Sequence, residues 1–374
     1  MADWKNVLEV IEGFGFEGEV FELKERFGDG HINNTYRLTM RNEDGLLQKY
    51  IVQRFNRTAF PRPDLVMENS LAVTSFLRRK IEEEGGAPER ETLNFCLNND
   101  GKPYTIDHDG EYWRAYTYID DAISLQLGED PQSFYSVAKT FARFNRRLDD
   151  FPVRCLHEII PDFHNTPVRF AAFMKAVRED RLRRAEHCRK EIDFIKAREK
   201  DCYYLVLAHK RGLLPLRVTH NDTKLNNVLL DEKTGEGICV IDLDTVMPGL
   251  MAYDFGDSIR FGASTALEDE PDLSKVHFSP ELFRVYTEGY MEVLGDLLSQ
   301  AELDSLLWGA KLMTLEVGMR FLTDYLQGDV YFRTDEHRPE HNLERCRTQL
   351  KLVAEMEACW SSLKDYMQSL RVHK

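Results

Sequence analysis

The segment that most constrains this chain is His220-Asn221-Asp222-Thr223-Lys224-Leu225-Asn226-Asn227, hemmed in by two apolar runs. Before it stands the strand-like Leu216-Arg217-Val218-Thr219. After it come Val228-Leu229-Leu230-Asp231, a short turn, and Ile238-Cys239-Val240-Ile241-Asp242. A loop so polar between apolar strands is costly to bury unless its groups are used. Its pattern is H-x-D-x-x-x-x-N with a second acid one hairpin later. Phosphoryl transfer needs a carboxylate to orient an attacking hydroxyl and accept its proton. It also needs a small amide and another carboxylate to hold magnesium on the nucleotide phosphates. Asp222 is the candidate base, and Asn227 and Asp242 are the candidate metal ligands. His220 is expected to brace the loop by hydrogen bonding, while Lys224 either neutralises the migrating phosphoryl group or pairs with an acid.

Asp254-Phe255-Gly256 matches a kinase metal motif but lies well past the hairpin that begins at Asn227. Asp242 ends the return strand and so takes the metal, with Asp244 a possible second-shell or second-ion ligand. Asp254 is expected to anchor the loop from a helix N-terminus. Upstream, Gly28-Asp29-Gly30-His31-Ile32-Asn33 sits between two strands, where a glycine-rich turn can offer backbone N–H groups to phosphates. Gly28, Gly30, His31 and Asn33 are therefore candidate nucleotide residues. Protein kinases also use a lysine on the third strand, paired with a helix glutamate. Here the strand offers Gln53 and Arg54 on opposite faces, with Glu68 placed as the acidic partner. The connector from Tyr116 to Ile119, including Tyr118, would give backbone hydrogen bonds to a purine.

Residues 1–118 read as strand-rich: Val20–Phe27, Thr35–Met40, a turn at Asn42–Gly45, Lys49–Phe55, then a helix Leu65–Glu83 and strands Tyr104–Ile106 and Tyr112–Ile119. Residues 119–374 read as helix-rich, with helices expected at Ser133–Leu148, Pro167–Arg198 and Tyr203–Arg211 and one hairpin at Val228–Ile241. That order fits a two-lobed α+β architecture. The formal net charge of -15 argues against a nucleic-acid partner. The arginines at 181, 183, 184 and 189 alternate with acids, as a solvated helix face does. No apolar run approaches the roughly 20 residues of a membrane span. With no visible signal peptide and seven scattered cysteines, a cytoplasmic chain with reduced thiols is expected.

With these residues in hand, the chain resembles the aminoglycoside phosphotransferase/choline kinase group. Within that group it is similar, over nearly its full length, to N-acetylhexosamine 1-kinases. The likeness is carried by residues 30–36, by Gln53-Arg54-Phe55-Asn56, by the 220–227 loop, and by Ile241–Gly249 and Tyr253–Arg260. The resemblance implies a protein-kinase-like fold, with a small antiparallel-sheet N-terminal lobe and a larger helical C-terminal lobe. It implies ATP and Mg2+ as cofactors and phosphorylation of the anomeric hydroxyl of GlcNAc or GalNAc. It places the sugar against Asp222, Arg320, Asp324 and Tyr331. The residues alone leave Glu316, Arg320 and Asp324 as either a surface ladder or a ligand face. Rival readings are a kinase of an aminoglycoside, choline or amino-acid alcohol, and an inactive kinase-like binding protein.

Overall fold

The chain is described here by a computed structural model covering residues 4–25, 27, 32–125 and 130–370. Gly28, Gly30 and His31, expected to line the nucleotide phosphates, lie outside the described residues. Helix α1 is Trp4–Phe14 and is followed by strands β1 (Glu19–Glu25), β2 (Asn34–Arg41) and β3 (Leu47–Arg54). Then come α2 (Pro63–Glu83), α3 (Pro88–Glu91), β4 (Thr105–Ile106), β5 (Tyr112–Thr117) and β6 (Ala122–Ile123). The first five strands form one antiparallel sheet in the order β1-β2-β3-β5-β4.

The alternation of β2 explains its place. Tyr36, Leu38 and Met40 point to one buried face, and the apolar stripe of α1 (Val7, Val10, Ile11, Phe14) packs onto it with Val52 and Trp113. Sequence reading did not single out α1. It expected β1 to be half-buried, whereas β1 is an edge strand, with Phe21 exposed under the Arg41 guanidinium. Register matters more for function: Thr35 pairs with Gln53, and Gln53 with Arg114. Directly opposed residues share a sheet face, so these three side chains form one row across β2, β3 and β5.

The helical part comprises α4 (Pro131–Arg147), α5 (Thr166–Glu179), α6 (Arg189–Lys196), α7 (Tyr204–Lys210), α8 (Met251–Gly262), α9 (Pro280–Leu294), α10 (Gln300–Gln327), α11 (His341–Ala358) and α12 (Trp360–Ser369). Short strands β7 (Arg217–Thr219), β8 (Val228–Asp231), β9 (Gly237–Val240) and β10 (Met247–Gly249) lie between α7 and α8. The single helix expected over 167–198 is two. Asp180 takes a left-handed conformation at the end of α5, and its carboxylate accepts from the Arg184 and Ala185 N–H groups. That aspartate caps a turn instead of continuing a helix. Arg184, expected on a solvated face, bonds to the Tyr325 carbonyl and Asp329 beyond α10.

Two compact units result. One contains residues 1–122 with 154–160 and 238–246; the other contains 123–153, 161–237 and 247–374. The strand-rich unit thus holds Asp242 and Asp244, and the helical unit holds Asp222 and Asn227. Among the described residues no helix is long and apolar enough to cross a membrane.

The core of the helical unit runs along α10, where Leu312, Leu315, Met319 and Leu322 are fully buried. α10 starts with a capping box in which Ser299 and Glu302 satisfy each other's backbone N–H groups. It meets α8 through paired glycines, since a Cβ on Gly309 would lie 2.0 Å from the Ala252 carbonyl oxygen. Alanine normally favours a helix over glycine, by about 1 kcal/mol. Here the obstacle is backbone and cannot yield. Gly309→Ala should therefore lower stability by about 1–3 kcal/mol, read as a lower thermal midpoint; an unchanged or raised midpoint would refute the close approach.

Candidate active site

The helical unit builds its polar loop from three devices. β7 pairs with β10 so that Thr219 lies opposite Met247 and Arg217 opposite Gly249. A Cβ at Gly249 would stand 2.2 Å from Thr219 Oγ1, so only glycine allows this approach. Asn221 adopts a left-handed backbone (φ 65°), which asparagine tolerates better than most residues. The third device is Asp254 in the first turn of α8. Its carboxylate accepts the His220 N–H at 2.9 Å, the Asn221 N–H at 2.8 Å and the Asn145 amide at 3.2 Å. Asp254 is thus the loop's anchor, as the sequence suggested. Thr223 extends the tie by donating to the Asp254 carbonyl, and Ser258 donates to the Thr223 carbonyl.

His220 is fully buried edge-on to Phe141 and Phe144, and its Nδ1 accepts the Asp222 N–H at 3.3 Å. It braces the loop. Asp222 itself stays 26% exposed and meets Lys224 Nζ at 3.0 Å through Oδ1. Burial pushes the Asp222 carboxyl up, but Lys224, with His220 and Arg260 behind it, pulls the other way and the net direction is downward. A carboxylate held ionised is the form that can accept a proton.

Asn227 is buried beside it and donates from Nδ2 to the Asp222 carbonyl at 2.7 Å and to Asp222 Oδ2 at 3.2 Å. A carbonyl can only accept, so the amide orientation is fixed and Oδ1 is the atom turned elsewhere. That orientation suits an oxygen ligand for a hard cation.

In the strand-rich unit, Asp242 follows β9 with a left-handed backbone (φ 59°). Two residues on, Asp244 is buried and neutralised. Its Oδ1 is ion-paired with Arg114, and its Oδ2 accepts from Asn33 Nδ2 at 2.7 Å. Asp244 is therefore committed within the protein, to partners that a second-ion ligand would have to give up.

The expectations around the third strand need correction. Glu68 pairs with His157 (2.7 Å), not with Gln53 or Arg54. Arg54 lies over the Trp113 ring. Gln53 donates to Thr35 Oγ1 and accepts from Arg114 Nε at 2.8 Å. The cation bonded to Gln53 is Arg114 of β5, which sequence reasoning missed. No motif marks it; cross-strand register was the only signal that could have found it.

Tyr116 lies on β5 opposite Ile51, its ring edge-on to Phe95, with burial pushing its hydroxyl up. The Thr117 and Tyr118 N–H groups already bond to the Asn94 and Lys49 carbonyls. Neither is the free donor that a purine would need.

The residues expected to hold an acceptor lie on α10 and the loop after it. Arg320 stacks among Phe163, Phe332 and Tyr331, with Nη2 3.5 Å from the Tyr331 hydroxyl. Asp324 is buried; its Oδ1 accepts the Val330 and Tyr331 N–H groups, and its Oδ2 the Phe332 N–H and the Asn342 amide. It shapes the loop bearing Tyr331 and does not present a free carboxylate. Glu316 is fully buried against His164 and Thr166, so the three residues are not a surface ladder. His164 also reaches the Asn221 carbonyl at 3.2 Å, linking α10 to the Asp222 loop. Sequence reading gave no sign of that bridge.

A model of the phosphotransferase enzyme family matches residues 25–286, more than half the chain. The chain belongs to this family. Solved structures share its fold at low sequence identity. An aminoglycoside phosphotransferase from Alicyclobacillus acidocaldarius aligns at 13% identity with TM-score 0.60, covering 97% of this chain and 96% of that one. An amicoumacin kinase in complex with AMP-PNP and Ca2+ aligns at 13% and 0.58, covering 93% of each chain. A microcompartment-associated aminopropanol kinase aligns at 15% and 0.54, covering 96% and 97%. The architecture is the protein-kinase-like one of these phosphotransferases, with an antiparallel-sheet N-terminal part and a helical C-terminal part.

Two outcomes follow from this geometry. Asp254→Asn turns an amide NH2 toward one of two backbone donors, and leaving that donor unpaired costs about 1–3 kcal/mol; thermal unfolding should show the loss. Lys224→Met removes the cation that most opposes burial at Asp222, so the Asp222 carboxyl should titrate at higher pH than in the unaltered protein. Carboxyl 13C shifts followed against pH read this directly, and an unmoved or lowered titration would contradict the pairing.

Proposed function

We propose that this phosphotransferase moves the γ-phosphoryl group of Mg-ATP to a small-molecule hydroxyl, with the anomeric hydroxyl of an N-acetylhexosamine (GlcNAc or GalNAc) as the acceptor. The observation that carries the reading is the state of Asp222: an ionised carboxylate, partly open to solvent, with Lys224 on one oxygen and the Asn227 amide near the other. In this mechanism Asp222 aligns the attacking hydroxyl and takes its proton. Asn227 and Asp242 would hold the magnesium, which would supply positive charge against the nucleotide phosphates. Asn33 serves the nucleotide side together with Gly28, Gly30 and His31. Lys224 lies where a cation could meet the transferring group. Tyr116 and Tyr118 border the base.

Acceptor chemistry is argued from charge. Arg320 and Arg169 both hold Phe163, one over its ring and the other through its carbonyl. Burial and then the Arg320 charge push the Arg169 guanidinium down, against the opposing pull of the buried Glu316 carboxylate, so two cations stand near one acid that His164 and Thr166 already engage. Among the described residues neither forms an ion pair. Such a site repels ammonium groups, which supports a neutral, hydroxyl-rich acceptor over choline, ethanolamine or an aminoglycoside. Arg320 and the Tyr331 hydroxyl supply donors beside aromatic faces, a lining suited to a sugar. Asp324 positions Tyr331.

Two measurements test this. Asp222→Asn should lower kcat by about 10²–10⁴-fold while Mg-nucleotide binding persists; near-unaltered turnover would remove Asp222 from the role of base. A coupled ADP-release assay across GlcNAc, GalNAc, galactose, choline and ethanolamine should favour the N-acetylhexosamines. Preference for a cationic acceptor would overturn the sugar reading and leave phosphoryl transfer standing.

A further inference from the structure

Protein kinases hold the nucleotide phosphates with a strand lysine paired to a helix glutamate, while a separate aspartate holds the metal. Among the described residues no lysine of β3 is paired with a glutamate of α2, since Lys49 is ion-paired with Asp120. Gln53 stands on β3 where its side chain meets β5, Arg54 faces the other way over Trp113, and Glu68 is taken by His157. A different network occupies the same sheet row. Thr35 Oγ1 accepts from Gln53 Nε2 at 3.0 Å, and Gln53 Oε1 accepts from Arg114 Nε at 2.8 Å. Arg114 Nη1 is ion-paired with Asp244, whose other oxygen accepts from Asn33 Nδ2 at 2.7 Å. Asn33 Oδ1 then accepts the Asn56 N–H at 3.0 Å.

Both charges of the pair are almost wholly buried, Arg114 at 2% and Asp244 at 3% exposure, with the guanidinium lying over the Phe55 ring. Buried ion pairs contribute little net stability compared with apolar replacements, because desolvation offsets attraction. They do fix geometry, and a planar guanidinium with two separate bonds fixes it more tightly than an ammonium could. The turn they fix carries Asp242 two residues earlier, in a left-handed backbone that a non-glycine residue holds only when its surroundings enforce it. The far end of the network is Asn33, the last residue of the turn expected at the nucleotide phosphates.

We propose that Arg114 is a positioning residue for metal and nucleotide: through Asp244 it locks the Asp242 turn to Asn33. The inference rests on the phosphoryl-transfer reading and adds to it a residue outside every motif. Asp244 belongs to this lock and is not a metal ligand.

The test compares the unaltered protein with Arg114→Lys, Asp244→Asn, Asp242→Asn and the double variant Arg114→Met with Asp244→Asn. Thermal unfolding, calorimetric binding of AMP-PNP across a Mg2+ series, and KM for nucleotide and acceptor are measured for each. The double variant removes both charges together and should keep a thermal midpoint near that of the unaltered protein. Its half-saturating Mg2+ and nucleotide KM should rise tenfold or more, with acceptor KM unchanged. Arg114→Lys keeps the charge but loses the fork, and should shift the same two quantities in the same direction should the double variant fail to fold. Recovery of both stability and Mg2+ dependence in the double variant would reduce the pair to scaffolding and overturn the proposal. So would an Asp244→Asn variant that loses Mg2+-dependent binding as completely as Asp242→Asn. If the unaltered protein binds no Mg-nucleotide, the phosphoryl-transfer reading falls and this inference with it; if it binds and the double variant matches it, only the inference falls.

Discussion

The Asp254 carboxylate is the fixed point of the helical unit. A loop carrying His220, Asn221 and Asp222 has backbone donors that cannot be left bare in a buried setting. Asp254 satisfies two of them at once from the first turn of α8. Burial pushes its own carboxyl up against this role, and the His220 and Asn221 N–H bonds and the Asn145 amide oppose that rise. From this point the order spreads outward. Thr223 and Ser258 tie the loop to α8, and α8 lies against α10 because Gly309 opposes it. α10 carries Arg320 toward the aromatic cage of Phe163, Tyr331 and Phe332.

A chain with a formal charge of -15 has acids to spare, so a functional carboxylate is identified by what its partners leave it able to do. Asp244 is consumed by Arg114 and Asn33, Asp324 by three backbone N–H groups and Asn342, and Glu316 by His164 and Thr166. Asp222 is different. Lys224, His220 and Arg260 together draw its carboxyl down against burial while a quarter of the side chain remains open. The same acid-rich composition therefore contains structural anchors, turn builders and the carboxylate proposed as proton acceptor, separated by the cations and amides that tertiary contacts supply.

Much of the architecture was legible because periodicity is local. The strands β2, β3 and β5 and helices α2 and α4 fall within a few residues of where alternation and helical spacing put them. The failures were also local, with physical causes. α5 and α6 read as one helix because their apolar spacing nearly continues, yet Asp180 uses its side chain to cap a turn. β1 alternates like a half-buried strand but occupies a sheet edge, a position no single strand's pattern can announce.

The sequence alone determined the chemical alphabet of the candidate site. The 220–227 loop, the acid one hairpin later and the anchoring role of Asp254 could all be read from residue type and spacing, because they lie within a few dozen residues along the chain. What only tertiary structure decided was the identity of the fixed cation and the fate of the nearby acids. Arg114 is more than a hundred residues from Asp244 and sixty from Gln53; antiparallel register sets it beside Gln53, and the packing of the turn after β9 brings Asp244 to it. A strand's neighbour is chosen by the burial of whole faces across the sheet, a sum over the fold that no short stretch of sequence encodes.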